Sequence, residues 1–127
     1  MPSLTSVELK AFVPAKDHAR SIAFYQAIGF TLASNTQGVA YFRHGNCSFL
    51  LQDFHVTEHS DNFMMHLLVE NADDWHQHIM DSGVVQSFGV RVDPPQDQPW
   101  GMRDFVLIDP TGVLWRIGHN LPRSANP

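Results

Sequence analysis

Eight histidines and a single cysteine are the residues of this 127-residue chain with the widest chemical reach. Imidazole is the commonest metal ligand and titrates near neutrality, so each histidine is weighed first for a metal or acid–base role. His55-Val56-Thr57-Glu58-His59 matches the H-x-x-E-H zinc motif letter for letter. That motif needs a rigid helix holding both imidazoles, whereas this segment is polar and lacks an apolar stripe, so it reads as a solvated linker. His76 and His78 lie two apart in a helical pattern and point to different faces. His18, His44 and His119 fall at element ends, where an exposed histidine is ordinary. His66 stands inside an apolar strand and reads as a satisfied core or cleft histidine, with catalysis as the alternative. Cys47 has no cation beside it to hold a thiolate and is expected to be a small buried hydrophobe. A lone thiol excludes an intrachain disulfide framework and a cysteine-rich zinc site. Asp73 and Asp74 suit a helix start better than acid–base work. Trp100, in a turn with Gly101, either stacks on a ligand or covers a core edge. No G-x-S-x-G, phosphate loop or dinucleotide fingerprint is present.

The elements that carry these residues repeat in order. A strand at 9–13 is ended by Pro14, and Asp17 caps a helix at 18–28 that Gly29 closes. Strands at 30–34, 39–44 and 47–52 follow as a meander with Asn35–38 and Gly45-Asn46 turns. The second half gives a strand at 64–69, then a helix capped by Asn71 or Asp73 and closed by Gly83. Strands at 84–92, 103–108 and 113–118 complete it, with Asp109-Pro110-Thr111-Gly112 as a turn. The expected architecture is one α+β domain over 1–120, built from two βαβββ modules at about 8–53 and 63–119. Residues 54–62 read as the linker and 121–127 as a flexible tail. With 43% hydrophobic and 17% charged residues the chain is globular. A net charge of −5 argues against general affinity for nucleic acid or anionic membrane. No apolar run approaches the roughly 18 residues of a membrane span, and 1–10 lacks a signal-peptide core, so a cytoplasmic protein is expected.

Two motifs go beyond pattern. One runs Val13-Pro14-Ala15-Lys16-Asp17, Ser21-Ile22-Ala23-Phe24-Tyr25 and Ile28-Gly29-Phe30. The other runs from Trp100-Gly101-Met102-Arg103-Asp104-Phe105 into Asp109-Pro110-Thr111-Gly112-Val113-Leu114. On these residues the chain resembles the vicinal oxygen chelate superfamily of glyoxalases, bleomycin-resistance proteins and dioxygenases, across about 8–119. The resemblance implies a curled mixed sheet around a cleft. It also implies that the family's four metal-ligand positions are here Lys10, Leu50, Met64 and Arg116. Those side chains offer none of the usual oxygen or nitrogen donors, so no metal, cofactor or catalytic residue is expected. The chain is then most similar to the metal-free bleomycin-resistance branch, which implies a homodimer sequestering an aromatic or amphipathic small molecule in an apolar cleft. Strand alternation nominates Lys10, Phe12, Leu50, Met64, His66 and Arg116 as ligand-binding residues, with Ser48, Leu68 and Leu114 beside them, and the turn residue Trp100 joins the set as a stacking group. Their neighbours Ala11, Val13, Phe49, Leu51, Met65, Leu67, Trp115 and Ile117 would pack beneath the helices. Lys10 and Arg116 favour an anionic or neutral aromatic ligand, unless a carboxylate such as Asp104 neutralises Arg116. Two other readings stay open. One is a glyoxalase-like lyase, isomerase or dioxygenase with an unorthodox site around His66, and the other a dimeric interaction module with a vestigial cleft.

Overall fold

The computed structural model of the chain describes residues 2–122. The first module comprises β1 (Phe12–Ala15), α1 (His18–Ala27), β2 (Thr31–Thr36), β3 (Val39–His44) and β4 (Cys47–Asp53). The linker carries α2 (Thr57–Asp61). In the second module β5 (Met64–Leu68) leads into α3 (Ala72–Asp81) and α4 (Val84–Phe88). Four strands then follow: β6 (Arg91–Val92), β7 (Gln96–Asp97), β8 (Met102–Ile108) and β9 (Leu114–Asn120). Each module makes its own sheet, in the order β1-β4-β3-β2 and β5-β9-β8-β6, with β7 also on β8. In both, the opening strand runs parallel to the closing one, and the other pairs are antiparallel. The expected α+β plan of duplicated modules around mixed sheets is therefore present.

Local chemistry sets the helix ends. Asp17 accepts from the Arg20 N–H (3.1 Å) and Asn71 from the Asp74 N–H (3.0 Å), so Asn71 rather than Asp73 is the second cap. Gly29 leaves α1 at φ +109°, a conformation that costs other residues strain. Alternation along the strands turns Val13, Phe42, Phe49 and Leu51 of one sheet, and Leu67, Phe105, Trp115 and Ile117 of the other, into a shared core. Phe49 and Trp115 meet across the modules with ring centres 5.3 Å apart, and Tyr25 of α1 touches both. The buried Tyr25 hydroxyl donates to Asp109 Oδ2 (2.6 Å) and accepts from Trp115 Nε1 (2.9 Å). Asp109 Oδ1 takes the N–H groups of Thr111, Gly112 and Val113, closing the turn before β9. Burial pushes the Asp109 carboxyl up despite these donors, and pushes the Tyr25 phenol well up.

Several expectations need correction. The strand expected at 9–13 is Phe12–Ala15, with Pro14 inside it. β1 bonds only to β4, and an edge strand tolerates a missing N–H. The segment 84–92 is not one strand: α4 occupies its first five residues between Gly83 (φ +79°) and Gly89 (φ +65°). The linker holds a helical turn that buries Ser60, and β7 was not expected at all. Cys47 is exposed rather than buried, because it opens β4 beyond the aromatic core. His18 donates to the Leu51 carbonyl (3.1 Å), and His119 Nδ1 accepts the Ala72 N–H (2.8 Å), so both join elements instead of merely ending them. Of the tail expected at 121–127, residues 123–127 lie outside the described residues. Among the described residues no helix is long and apolar enough to cross a membrane.

Candidate functional site

Because the two sheets pack through their inner faces, their outer faces turn away from each other. Sheet one presents Phe12 beside Leu50, its register partner, with Lys10 just upstream. Sheet two presents Met64, His66 and Leu68 of β5, and Leu114 and Arg116 of β9, with His66 directly paired to Arg116. The large apolar side chains here are open to solvent, at 52% for Phe12, 58% for Met64, 55% for Leu68 and 57% for Trp100. The structure thus assembles Met64, His66, Trp100 and Arg116 on one face and Lys10, Phe12 and Leu50 on the other. None of the four cavities of about 580, 520, 240 and 290 Å³ is lined by both groups.

Arg116 is the best-ordered of these chemically. Its Nη1 lies 3.3 Å from both carboxylate oxygens of Asp104, which is 1% exposed. Gln98 Nε2 donates to the same carboxylate at 3.0 Å, and the Trp100 ring lies 5.6 Å from the guanidinium carbon. Asp93, Pro94, Gln96 and Val106 complete a niche of about 240 Å³ around the pair. Gly118 makes the arrangement possible, since a Cβ there would come within 2.6 Å of Asp104 Cβ and 2.9 Å of the Arg103 carbonyl. Arg116 is therefore neutralised from within, as the alternative drawn from the sequence had it. Asp104 engages only Nη1, so it offsets the charge while Nε and Nη2 make no hydrogen bond to protein among the described residues.

Lys10 is occupied in the same way. Its Nζ donates to Glu8 Oε1 (2.7 Å) and sits 5.2 Å from the Tyr41 ring centre. The other Glu8 oxygen accepts from Tyr41 and Ser48. The bonds from Lys10, Ser48 and Tyr41 hold the Glu8 carboxyl down at about 2 and push Lys10 up. Glu8 and Tyr41 are parts of this face that the sequence reading missed. The 8-10-12 alternation, extended one step upstream, carries the signal for Glu8.

His59, His76 and His78 serve packing. His78 Nε2 donates to the Ile28 carbonyl (2.9 Å), His76 lies edge-on to Phe105, and His59 to Phe63. His55 precedes α2 rather than sharing a helix with His59. His66 makes no hydrogen bond to protein groups among the described residues.

The model of the Glyoxalase/Bleomycin resistance protein/Dioxygenase superfamily matches residues 7–117, and the chain belongs to that family. Among solved structures it is similar to a bleomycin-binding protein complexed with bleomycin (21% identity, 91% of this chain and 99% of that one, TM-score 0.78). It is also similar to TnmS3, an antibiotic binding protein from Streptomyces sp. CB03234 (25% identity, 96% and 100%, TM-score 0.69). A lactoylglutathione lyase from Agrobacterium tumefaciens shares the fold as well (17% identity, 91% and 94%, TM-score 0.65). No curated protein sequence matches the chain. Binding proteins and an enzyme thus stand on one fold, so function must be argued from the site.

A divalent metal does not fit the four positions that the resemblance marks for it. Lys10 and Arg116 are cations already paired to carboxylates, and Leu50 and Met64 bring an alkyl chain and a thioether. Among the described residues no three His, Cys, Asp or Glu side chains converge on a common point.

Proposed function

We propose that the protein binds and sequesters a small aromatic or amphipathic molecule without catalysis and without a metal, on the outer faces of its sheets. The observation that carries this reading is the solvent-open apolar set Phe12, Met64, Leu68 and Trp100 around charges that are already satisfied. Such a surface gains by covering apolar area and stacking on an indole. The paired state of Arg116 and Lys10 replaces the expected anion preference with a tolerance for either sign. The two half-sites lie on separate faces, and β1 and β5 each have one unbonded edge. A second copy of the chain, joining sheet one of one protomer to sheet two of its partner, completes a cleft. The similarity to antibiotic-binding proteins supports the same reading.

Calorimetry with bleomycin and with planar heteroaromatic compounds tests it. A ligand is expected to bind, and Trp100→Ala is expected to weaken it about tenfold, matching about 1–1.5 kcal/mol for an aromatic contact. Replacing an acidic ligand by its basic analogue changes affinity far less than that. Binding that is indifferent to Trp100→Ala and Met64→Ala, or turnover of the bound compound, would end this proposal.

A further inference from the structure

A second hollow lies between the modules of one chain, along the seam where β4 begins and β5 ends. Two adjoining cavities of about 580 and 290 Å³ share Cys47, Leu67 and Leu68. The smaller backs onto the core through Phe30, Phe49, Met65 and Trp115. The larger opens past His44 and Trp75 to Glu70 and Asp74. The His44 ring lies 4.8 Å from Trp75 and 5.5 Å from Phe30, which makes a continuous aromatic wall.

Polarity runs one way along this hollow, from aromatic and aliphatic groups at the inner end to carboxylates at the mouth. Neither carboxylate is engaged among the described residues. The neighbouring acid Asp73 is bound by Arg103, but the Glu70 and Asp74 side chains have no cation or hydrogen-bond donor on them. No Lys or Arg lines either cavity. The start of α3 offsets part of this negative field, and the chain's net charge of −5 adds to it.

We propose that the seam is a binding site for a small organic cation with an aromatic or aliphatic body. The body lies against Leu68, Trp75 and the inner aromatic end, and its ammonium group is held at Glu70 and Asp74. The Trp75 face adds a cation–π attraction. This site lies apart from Met64, Trp100 and Arg116 of the outer-face site proposed above, and shares Ser48, His66 and Leu68 with it.

Cys47 is the one thiol in the chain and lines both cavities, so its alkylation by neutral iodoacetamide reports whether the seam is filled. Added 1-naphthylmethylammonium is expected to slow the reaction saturably. The matched anion 1-naphthylacetate is expected to protect about tenfold less well. In the double variant Glu70→Gln, Asp74→Asn the half-protecting concentration of the cation rises about three- to tenfold. Trp100→Ala leaves the protection unchanged, which separates failure of this site from failure of the outer faces. Equal protection by the two naphthyl compounds, no protection by the cation, or indifference to the double variant overturns the proposal. The cation–anion comparison on the unaltered protein decides the matter if the double variant folds poorly.

Discussion

Tyr25 is the residue on which both modules depend. Its ring packs on Phe42 and Phe49 of the first sheet and on Trp115 of the second, while its hydroxyl joins α1 to Asp109. Tyr25→Phe keeps the ring and removes the hydroxyl, so Asp109 loses its side-chain donor and Trp115 Nε1 its acceptor, all in a buried site. A loss of about 1–3 kcal/mol is expected, read from the shift in the urea unfolding midpoint. An unshifted midpoint would show that the rings alone hold the modules together. Residue-scale features were legible where a neighbour in sequence determines them. Asp17 as a cap and Gly29 as a helix stop belong to that group, whereas the Asp104–Arg116 pair, twelve residues apart, was only the alternative to a free Arg116. The exposure of Cys47 was not legible, because it depends on how the start of β4 meets the other module.

At the scale of elements, the extension that precedes β1 bonds to β4 only through the Ala11 carbonyl, which accepts the Leu50 N–H, and Glu8 fixes the rest onto the outer face of sheet one. A carboxyl whose folded pKa is depressed stabilises that contact above its ordinary range. The contribution fades as pH falls from 4.5 toward about 2. The Tyr41 ring resonances are therefore expected to titrate with a midpoint near the lower value, and to lose that titration in Glu8→Gln. A midpoint at the ordinary carboxyl value would show that the attachment does not form in solution. Most strands and both long helices could be read from the sequence, since two-residue and helical periodicities were clean. The run Val84-Val85 with Phe88 and Val90 misled, because β-branched residues in short apolar stretches fit a strand equally well. Two left-handed glycines, Gly83 and Gly89, confine a single helical turn there. β7 escaped notice because two polar residues carry no periodicity, and its place is set by pairing with β8.

For the whole molecule, the decisive fact is that the sheets face outward. Alternation placed most inner positions: Val13, Phe49, Leu51, Leu67, Trp115 and Ile117 are buried, while Met65 is only partly buried against the core and Ala11 lies outside it. The sequence did not reveal that one chain alone leaves the two candidate half-sites apart, since alternation assigns a side chain to a face but says nothing of where that face points. Light scattering is expected to give twice the 14.3 kDa chain mass at micromolar concentration. Phe12→Lys combined with Leu68→Lys places charge in the proposed interface and is expected to yield the single-chain mass with an unchanged circular dichroism spectrum. A pair-sized particle that survives both substitutions would place the contact elsewhere.

The missing side chain at Gly118 has a consequence for how such a surface changes over generations. Asp104 can lie beneath Arg116 only because nothing projects from its register partner on β9. A single methyl group there would force the carboxylate aside and leave the guanidinium to the solvent. The face would pass from electrically quiet to acid-seeking without any alteration of a residue that lines the proposed site. A change in the ligands that the proposed outer-face site accepts can therefore begin at a position that no comparison of contact residues would inspect.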